Sequence, residues 1–307
     1  MKKLPWWGWV LAALAVVTAV VAGVAIGRLT TRNDDGEEPT STIEPTSTIE
    51  PTPTVPVDDG SGGSSTDTTA PQFVRVYFVR GEYLGVVQRQ IAPTKAVATA
   101  AVRQLLLGPS AAEQGWGLST QVPVGTELIR VSIADGTARV DLTEEFDDGG
   151  GTLSMGLRLG QVVYTLTQFT TVKRVEFYME GERIDVFGGE GIILTSPQTR
   201  EDYEDVTPPI LVEQPPPGAT ITSPVRLWGT ANTFEAMFKV RIEDSQGRVL
   251  ADVPAMATSG TGTRGTFDVS IPFALTDPEA GTITVYESSA ADGSPINEVT
   301  IPVELAR

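Results

Sequence analysis

Five carboxylates crowd into one short stretch, Asp141, Glu144, Glu145, Asp147 and Asp148, directly ahead of Gly149-Gly150-Gly151. Paired carboxyls hydrolyse a glycosidic bond when an apolar pocket keeps one protonated as the acid and the other serves as nucleophile or base. Peptidoglycan sugars would then be the substrate. The same residues have a plainer use at a strand end before a helix, where acids favour the positive end of the helix dipole. A run of neighbouring acids in a glycine-rich loop points to solvated charge, and that weighs against a protonated catalytic partner. Oxygen ligands alone suffice for calcium, but the cluster lacks the D-x-D-x-D-G spacing of an EF-hand loop.

Other chemistries lack their residues. The chain has no His and no Cys, which excludes Ser-His-Asp and Cys-His nucleophiles, the usual zinc sites, disulfides and a lipid-modified N-terminal Cys. Of five lysines, only Lys95, Lys173 and Lys239 lie beyond the first few residues, and none follows a Ser in an S-x-x-K pattern; a Ser-Lys pair would need one of them desolvated beside a Ser. Lys173 beside Arg174 reads as surface charge at a helix end. Trp116 and Trp228 read as core or boundary packing, with an interface anchor as the alternative. No catalytic, cofactor or metal residue is assigned, and the chain is read as a non-enzyme. A formal charge of -17 offers no basic stripe to nucleic acid.

The elements that must carry these residues begin with an anchor. Residues 1–4 read as a cytoplasmic stub, and 5–27 (PWWGWVLAALAVVTAVVAGVAIG) run without a charge, long enough for the ~20 residues a membrane-spanning helix needs. Trp6, Trp7 and Trp9 suit the headgroup layer at one end. A cleaved signal peptide is the competing reading, with small residues at Gly23-Val24-Ala25, but its apolar region is typically only ~7–15 residues. Residues 28–70 repeat EPTSTI, then EPTPTV, then turn to Asp, Gly, Ser and Thr. Too little apolar area is available to offset ordering, so this reads as a disordered Pro/Thr-rich stalk, reaching on the order of 130 Å if extended. The folded parts would then stand outside the cell membrane.

From Phe73 the sequence alternates. Val74, Val76 and Phe78 share a strand face, and Arg80-Gly81-Glu82 turns into a second strand ending at Ile91. A helix with Thr94 as N-cap and Gly108-Pro109 as its stop follows, with Val97, Ala98, Ala101, Val102 and Leu105 on one stripe. Ile129, Val131 and Ile133, an Asp135-Gly136 turn, and Ala138, Val140 and Leu142 form a second hairpin. Met155, Leu159, Val162, Val163 and Leu166 place a helix over 153–171. Val175, Phe177 and Met179, a Glu180-Gly181 turn, Ile184 and Val186 make the third hairpin. The order is ββαββαββ, a mixed α/β domain over 71–190. Pro and charge mark 191–208 as a linker. From 209 to 307, short alternating strands at Val225, Phe238, Val249, Phe267, Ile283 and Val299 predict an all-β sandwich.

The motifs YFV (77–79), QLLLGP (104–109), VPVGTEL (122–128), VDLTEEF (140–146), QVVYTLTQF (161–169) and VEFYMEG (175–181), in that order, resemble the GerMN domain of sporulation and spore germination. Residues 223–250 (SPVRLWGTANTFEAMFKVRIEDSQGRVL) and 286–305 resemble the immunoglobulin-like domain of bacterial spore germination, which commonly accompanies it; Phe234-Glu235 belongs to its signature, although a strand start with a solvated Glu is the simpler reading. The resemblance implies a fold like the ring-building motif of secretion-system rings, and assembly rather than catalysis. The expectation is a membrane-anchored envelope scaffold that binds envelope proteins, with self-assembly and peptidoglycan as further candidate partners. An accessory of a membrane sensor kinase, known for lipid-anchored relatives, and a peptidoglycan hydrolase are the alternatives.

Overall fold

The computed structural model describes residues 71–189 and 191–307. The expected anchor at 5–27 and stalk at 28–70 lie outside the described residues, among which no helix is long and apolar enough to cross a membrane.

Alternating apolar residues build the first hairpin, β1 (Gln72–Arg80) against β2 (Tyr83–Ile91), in register Val76 to Val87 and Phe78 to Gly85. Val74 and Val76 to Val79 are all buried, so β1 is covered on both faces. Next come α1 (Val97–Leu106), the short α2 (Ala111–Gly115), β3 (Leu128–Ala134), β4 (Thr137–Leu142), α3 (Thr152–Leu166), β5 (Arg174–Met179) and β6 (Glu182–Arg183). The sheet order is β3-β4-β5-β6, with β4 and β5 parallel across the α3 crossover. A small hairpin, β7 (Val186–Phe187) with β8 (Ile192–Ile193), follows. Leu105 of α1 and Leu166 of α3 are fully buried in the shared core with Phe78, Leu142 and Phe177.

Two local expectations, both for helix bounds, are corrected. Helix α1 starts after Ala96, not at Thr94: the Thr94 hydroxyl accepts from the Ala96 amide and no side chain caps the helix. Helix α3 ends at Leu166 rather than 171, because the Thr167 hydroxyl bonds back to the Val163 carbonyl and Gln168 is diverted to both backbone groups of Arg75. Such back-bonding competes with continued helix. On β3, Ile129 and Ile133 are 47% and 42% exposed, since β3 is an edge strand whose pairing shifts register between Leu128 and Arg130.

The second module has a three-stranded sheet, β9 (Ile210–Gln214), β11 (Val225–Ala231) and β14 (Gly265–Ile271), in order β14-β11-β9. Its other sheet contains β10 (Ala219–Ile221), β12 (Met237–Asp244), β13 (Val249–Met256), β15 (Glu279–Ser288) and β16 (Pro295–Leu305), in order β10-β16-β15-β12-β13. Leu227, Phe267, Phe238, Val240, Ile283 and Ile301 fill the core between the two sheets. Strand β9 faces two ways, as alternation requires: Ile210 and Val212 enter the sandwich core, while Leu211 joins the core of the first module. The segment expected as linker is itself packed, with Leu194, Tyr203 and Val206 in that first core.

Candidate functional site at the seam between the modules

The acidic cluster is committed to local structure. Asp141, buried at the end of β4, accepts the Gly181 amide at 3.0 Å and fixes the turn after β5. Glu144 and Asp148 are exposed, and Glu145 and Asp147 are half-buried. The Thr143 hydroxyl holds the Glu145 carboxyl below its usual range, the wrong direction for a general acid. The loop itself is organised by Arg158 of α3, which is 3% exposed. Its guanidinium donates to the peptide carbonyls of Gln121 (2.9 Å), Phe146 (2.6 Å), Asp148 (3.0 Å) and Gly149 (2.8 Å). The glycine-rich loop thus turns its carbonyls inward onto a cation and leaves the side chains of Glu144 and Asp148 to solvent. Among the described residues, no group of three or more acids is placed to hold a metal ion. Lys95 precedes α1, Lys173 precedes β5 and Lys239 lies in β12, so the sequence-flagged lysines sit on separate elements.

The densest buried polar chemistry lies where β9 meets the first module. Glu213 is 4% exposed and accepts from the Tyr77 hydroxyl at 2.6 Å and from Arg200 Nη1 at 2.7 Å, with Arg75 Nε at 3.5 Å. Arg200 also lies over the rings of Tyr164 and Tyr77, at 4.5 and 5.4 Å from their centroids. Burial, with the Glu213 charge adding to it, pushes the Tyr77 hydroxyl far above its ordinary value, so it stays a donor. Burial opposes the Arg200 charge, but Tyr77 and Glu213 outweigh it and raise its pKa. A buried carboxylate shared by a phenol and two guanidiniums satisfies the rule that interior charge must be paired and hydrogen-bonded.

Further contacts extend the seam. Arg264 of the second module donates to both carboxylate oxygens of Glu204 at 2.7 and 3.0 Å and to the Pro208 carbonyl at 2.9 Å. Asn232 donates to Glu204 at 2.8 Å. Burial opposes the Glu204 charge, yet the bonds from Arg264 and Asn232 outweigh it and lower its pKa. Tyr164 and Thr207 hydroxyls meet at 2.7 Å, and Arg80 donates to the Thr300 carbonyl at 3.0 Å. Both sequence-flagged tryptophans lie here. Trp228 sits under the Arg75 guanidinium at 4.8 Å, and Trp116 packs so tightly on Gly218 that a Cβ there would come within 2.8 Å of the ring. Gly229 is required for the same reason, since a Cβ would collide with the Leu211 carbonyl of β9.

An open groove of about 760 Å³ runs along this seam, lined by Arg200 and Glu213 at one side and by Trp228, Arg226, Asp268 and Met256 at the other. Sequence reasoning reached the two tryptophans but not Glu213, Arg200, Arg75 or Tyr77. The available signal was a single acid inside the apolar run ILVE of β9, which could have been read as a buried, partnered charge.

This architecture defines a two-module protein, a mixed α/β domain joined to a β-rich domain through a buried polar seam. Residues 75–185 match the family described as "Sporulation and spore germination", and residues 209–294 match the "Immunoglobulin-like domain of bacterial spore germination". The chain carries a GerMN domain followed by that immunoglobulin-like domain. Among solved structures it is similar to the first GerMN domain of the sporulation protein GerM from Bacillus subtilis, at 20% identity over 42% of this chain and 98% of that one, TM-score 0.37. The tandem GerMN domains of the same protein align at 16% identity over 68% of this chain and 64% of that one, TM-score 0.38. A candidate lipoprotein from Clostridium perfringens aligns at 19% identity over 45% and 93%, TM-score 0.33. No curated protein matches the chain.

Proposed function

We propose that this protein is a membrane-anchored cell-envelope scaffold of the GerMN sporulation and germination type, which works by binding other envelope proteins and not by catalysis. The observation that carries this reading is the groove along the seam, whose walls come from the Arg200 segment packed on the GerMN domain and from β9, β11 and β14 of the second domain. The second domain supplies most of this surface, and docking adds Arg200 to its wall, held there by its bond to the buried Glu213. The acidic loop supports the same reading, because its backbone is bound to Arg158 and Glu145 is held ionised. Envelope placement draws on the uncharged apolar run at 5–27.

The test compares two variants of the full chain in its native envelope. Deleting either domain while keeping residues 1–70 should abolish recovery of cross-linked membrane proteins. Changing Glu144, Glu145, Asp147 and Asp148 to their amides should leave that recovery intact. Release of soluble muropeptides by the wild type, lost in the amide variant, would replace the scaffold reading with a hydrolase. Recovery dominated by a sensor kinase would narrow the role to that of its accessory.

A further inference from the structure

The edge strand β3 differs from the other sheet edges. Edge strands present unpaired amides and carbonyls, and folded proteins shield them with Pro, inward or edge charge, shortness or cover. Strand β13 carries Pro254 and Asp252, β14 carries Asp268, and β6, β7, β8 and β10 are two or three residues long; β9 is covered by the GerMN domain, the free edge of β1 is bonded by Gln168, Thr165, Gln161 and Ser119, and β2 is buried at Leu84, Val86 and Val87. Strand β3 is seven residues, LIRVSIA, with no Pro, Lys or acid, and five of the seven are exposed. Beside it runs a groove of about 370 Å³ lined by Val97, Val131, Ile133 and Phe169. Val131 and Ile133 pair with the fully buried Val140 and Ala138 on β4, so their side chains belong to an apolar face that this chain leaves half open.

The register carries the identity of the partner. The shift at Leu128/Arg130 leaves 130–134 as the regular part of the strand. Two such segments laid antiparallel about Ser132 place Val131 opposite Ile133 twice, Arg130 opposite Ala134 twice, and Ser132 opposite itself. Apolar residues then meet apolar ones on the same face, and no like charges stand directly opposite, both favourable cross-strand conditions. Copies of a chain with charge -17 repel, yet each would present here a strand whose only charge is the cation Arg130. We propose that β3 is a self-pairing edge, joining two copies of this chain through an antiparallel β3–β3 ladder centred on Ser132. An isologous pairing of this kind closes on itself as a dimer. It deepens the scaffold reading and rests on it, naming a second copy as one partner.

The absence of native Cys makes the test direct. Full-length chains carrying Ser132→Cys, Ala134→Cys or, as a remote exposed control, Ser270→Cys are oxidised mildly in the membrane and resolved without reductant. The pairing predicts a covalent dimer for Ser132→Cys. It predicts none for Ala134→Cys, whose copies would lie about 14 Å apart along the ladder, beyond the reach of a disulfide at about 7 Å between Cα atoms. Adding the exposed substitution Ile133→Lys to Ser132→Cys should reduce the dimer at least fivefold while leaving the unfolding temperature unchanged. Equal cross-linking at all three positions, or none at Ser132→Cys, would overturn self-pairing. The domain-deletion experiment reads recovery of other proteins, so the scaffold reading stands or falls separately.

Discussion

Replacing Glu213 by Ala removes the acceptor shared by Tyr77 and Arg200 and the carboxylate that faces Arg75. Breaking a buried ion pair by deleting one partner costs about 3–5 kcal/mol. The arginines retain 22% and 27% side-chain exposure, so part of that cost is recovered by rehydration, while the buried Tyr77 hydroxyl left without an acceptor adds about 1–3 kcal/mol. The net expectation is a loss of about 3–5 kcal/mol, read by urea unfolding of the full chain in detergent. Limited proteolysis should show new cleavage near Thr207-Pro208-Pro209, where the chain passes between the domains. The triple change Glu213→Leu, Arg200→Met, Arg75→Met removes the charges together and should recover most of the loss, since apolar groups of similar volume commonly replace buried ion pairs without penalty. A stability within about 0.5 kcal/mol of wild type for Glu213→Ala, the range of an inconsequential surface change, would refute the buried-network account.

Other substitutions probe separate parts of the structure. Leu105→Ala and Leu166→Ala, both at fully buried positions, should each cost about 2–5 kcal/mol by denaturant unfolding; near-zero effects at both would place α1 and α3 on the wrong faces. Arg158→Met should expose the 146–150 loop to rapid amide hydrogen exchange, because four carbonyl bonds to the guanidinium disappear; unchanged protection would contradict its organising role. Glu204 gives a pH signature. Its carboxyl is depressed in the folded state, so its stabilising share is complete above the usual carboxylate pKa of about 4.3 and lost as pH falls through the lower folded value. Thermal unfolding of Glu204→Gln should therefore depend less steeply on acid pH than wild type, and parallel slopes would argue against the Arg264–Glu204 clasp.

Period-two alternation was strong enough to reveal the strands at Ala138, Val175, Phe238, Phe267 and Val299, because each buries one face against a core. It was weaker where tertiary contacts decide. The residues of β9 lie directly after a Pro and charge-rich stretch, and their burial on both faces removes the alternation that marks a strand. Side chains redirected to distant backbone, such as Gln168 to Arg75, shortened α3 in a way local spacing does not encode. The apolar stripe of β3 was read correctly as a pattern, but its exposure follows from the position of β3 at the sheet edge. The seam was the least legible part: Tyr77 and Glu213 are separated by 136 residues, and nothing in either neighbourhood names the other. Only the tryptophans hinted at an interface, by type and not by spacing.

Docking of the two domains into one body can be measured directly as a distance. Nitroxide labels at Gln88→Cys on β2 and Ser270→Cys on β14, both exposed and on regular strands, would be the only labels in a chain without native Cys. Pulsed electron-electron resonance on the full chain should give a single narrow distance distribution, and the same pair in the Glu213→Ala background should give a broader one. A wild-type distribution as broad as that of two freely tethered domains would contradict a fixed seam, and with it the Arg200 wall of the groove on which the scaffold reading draws.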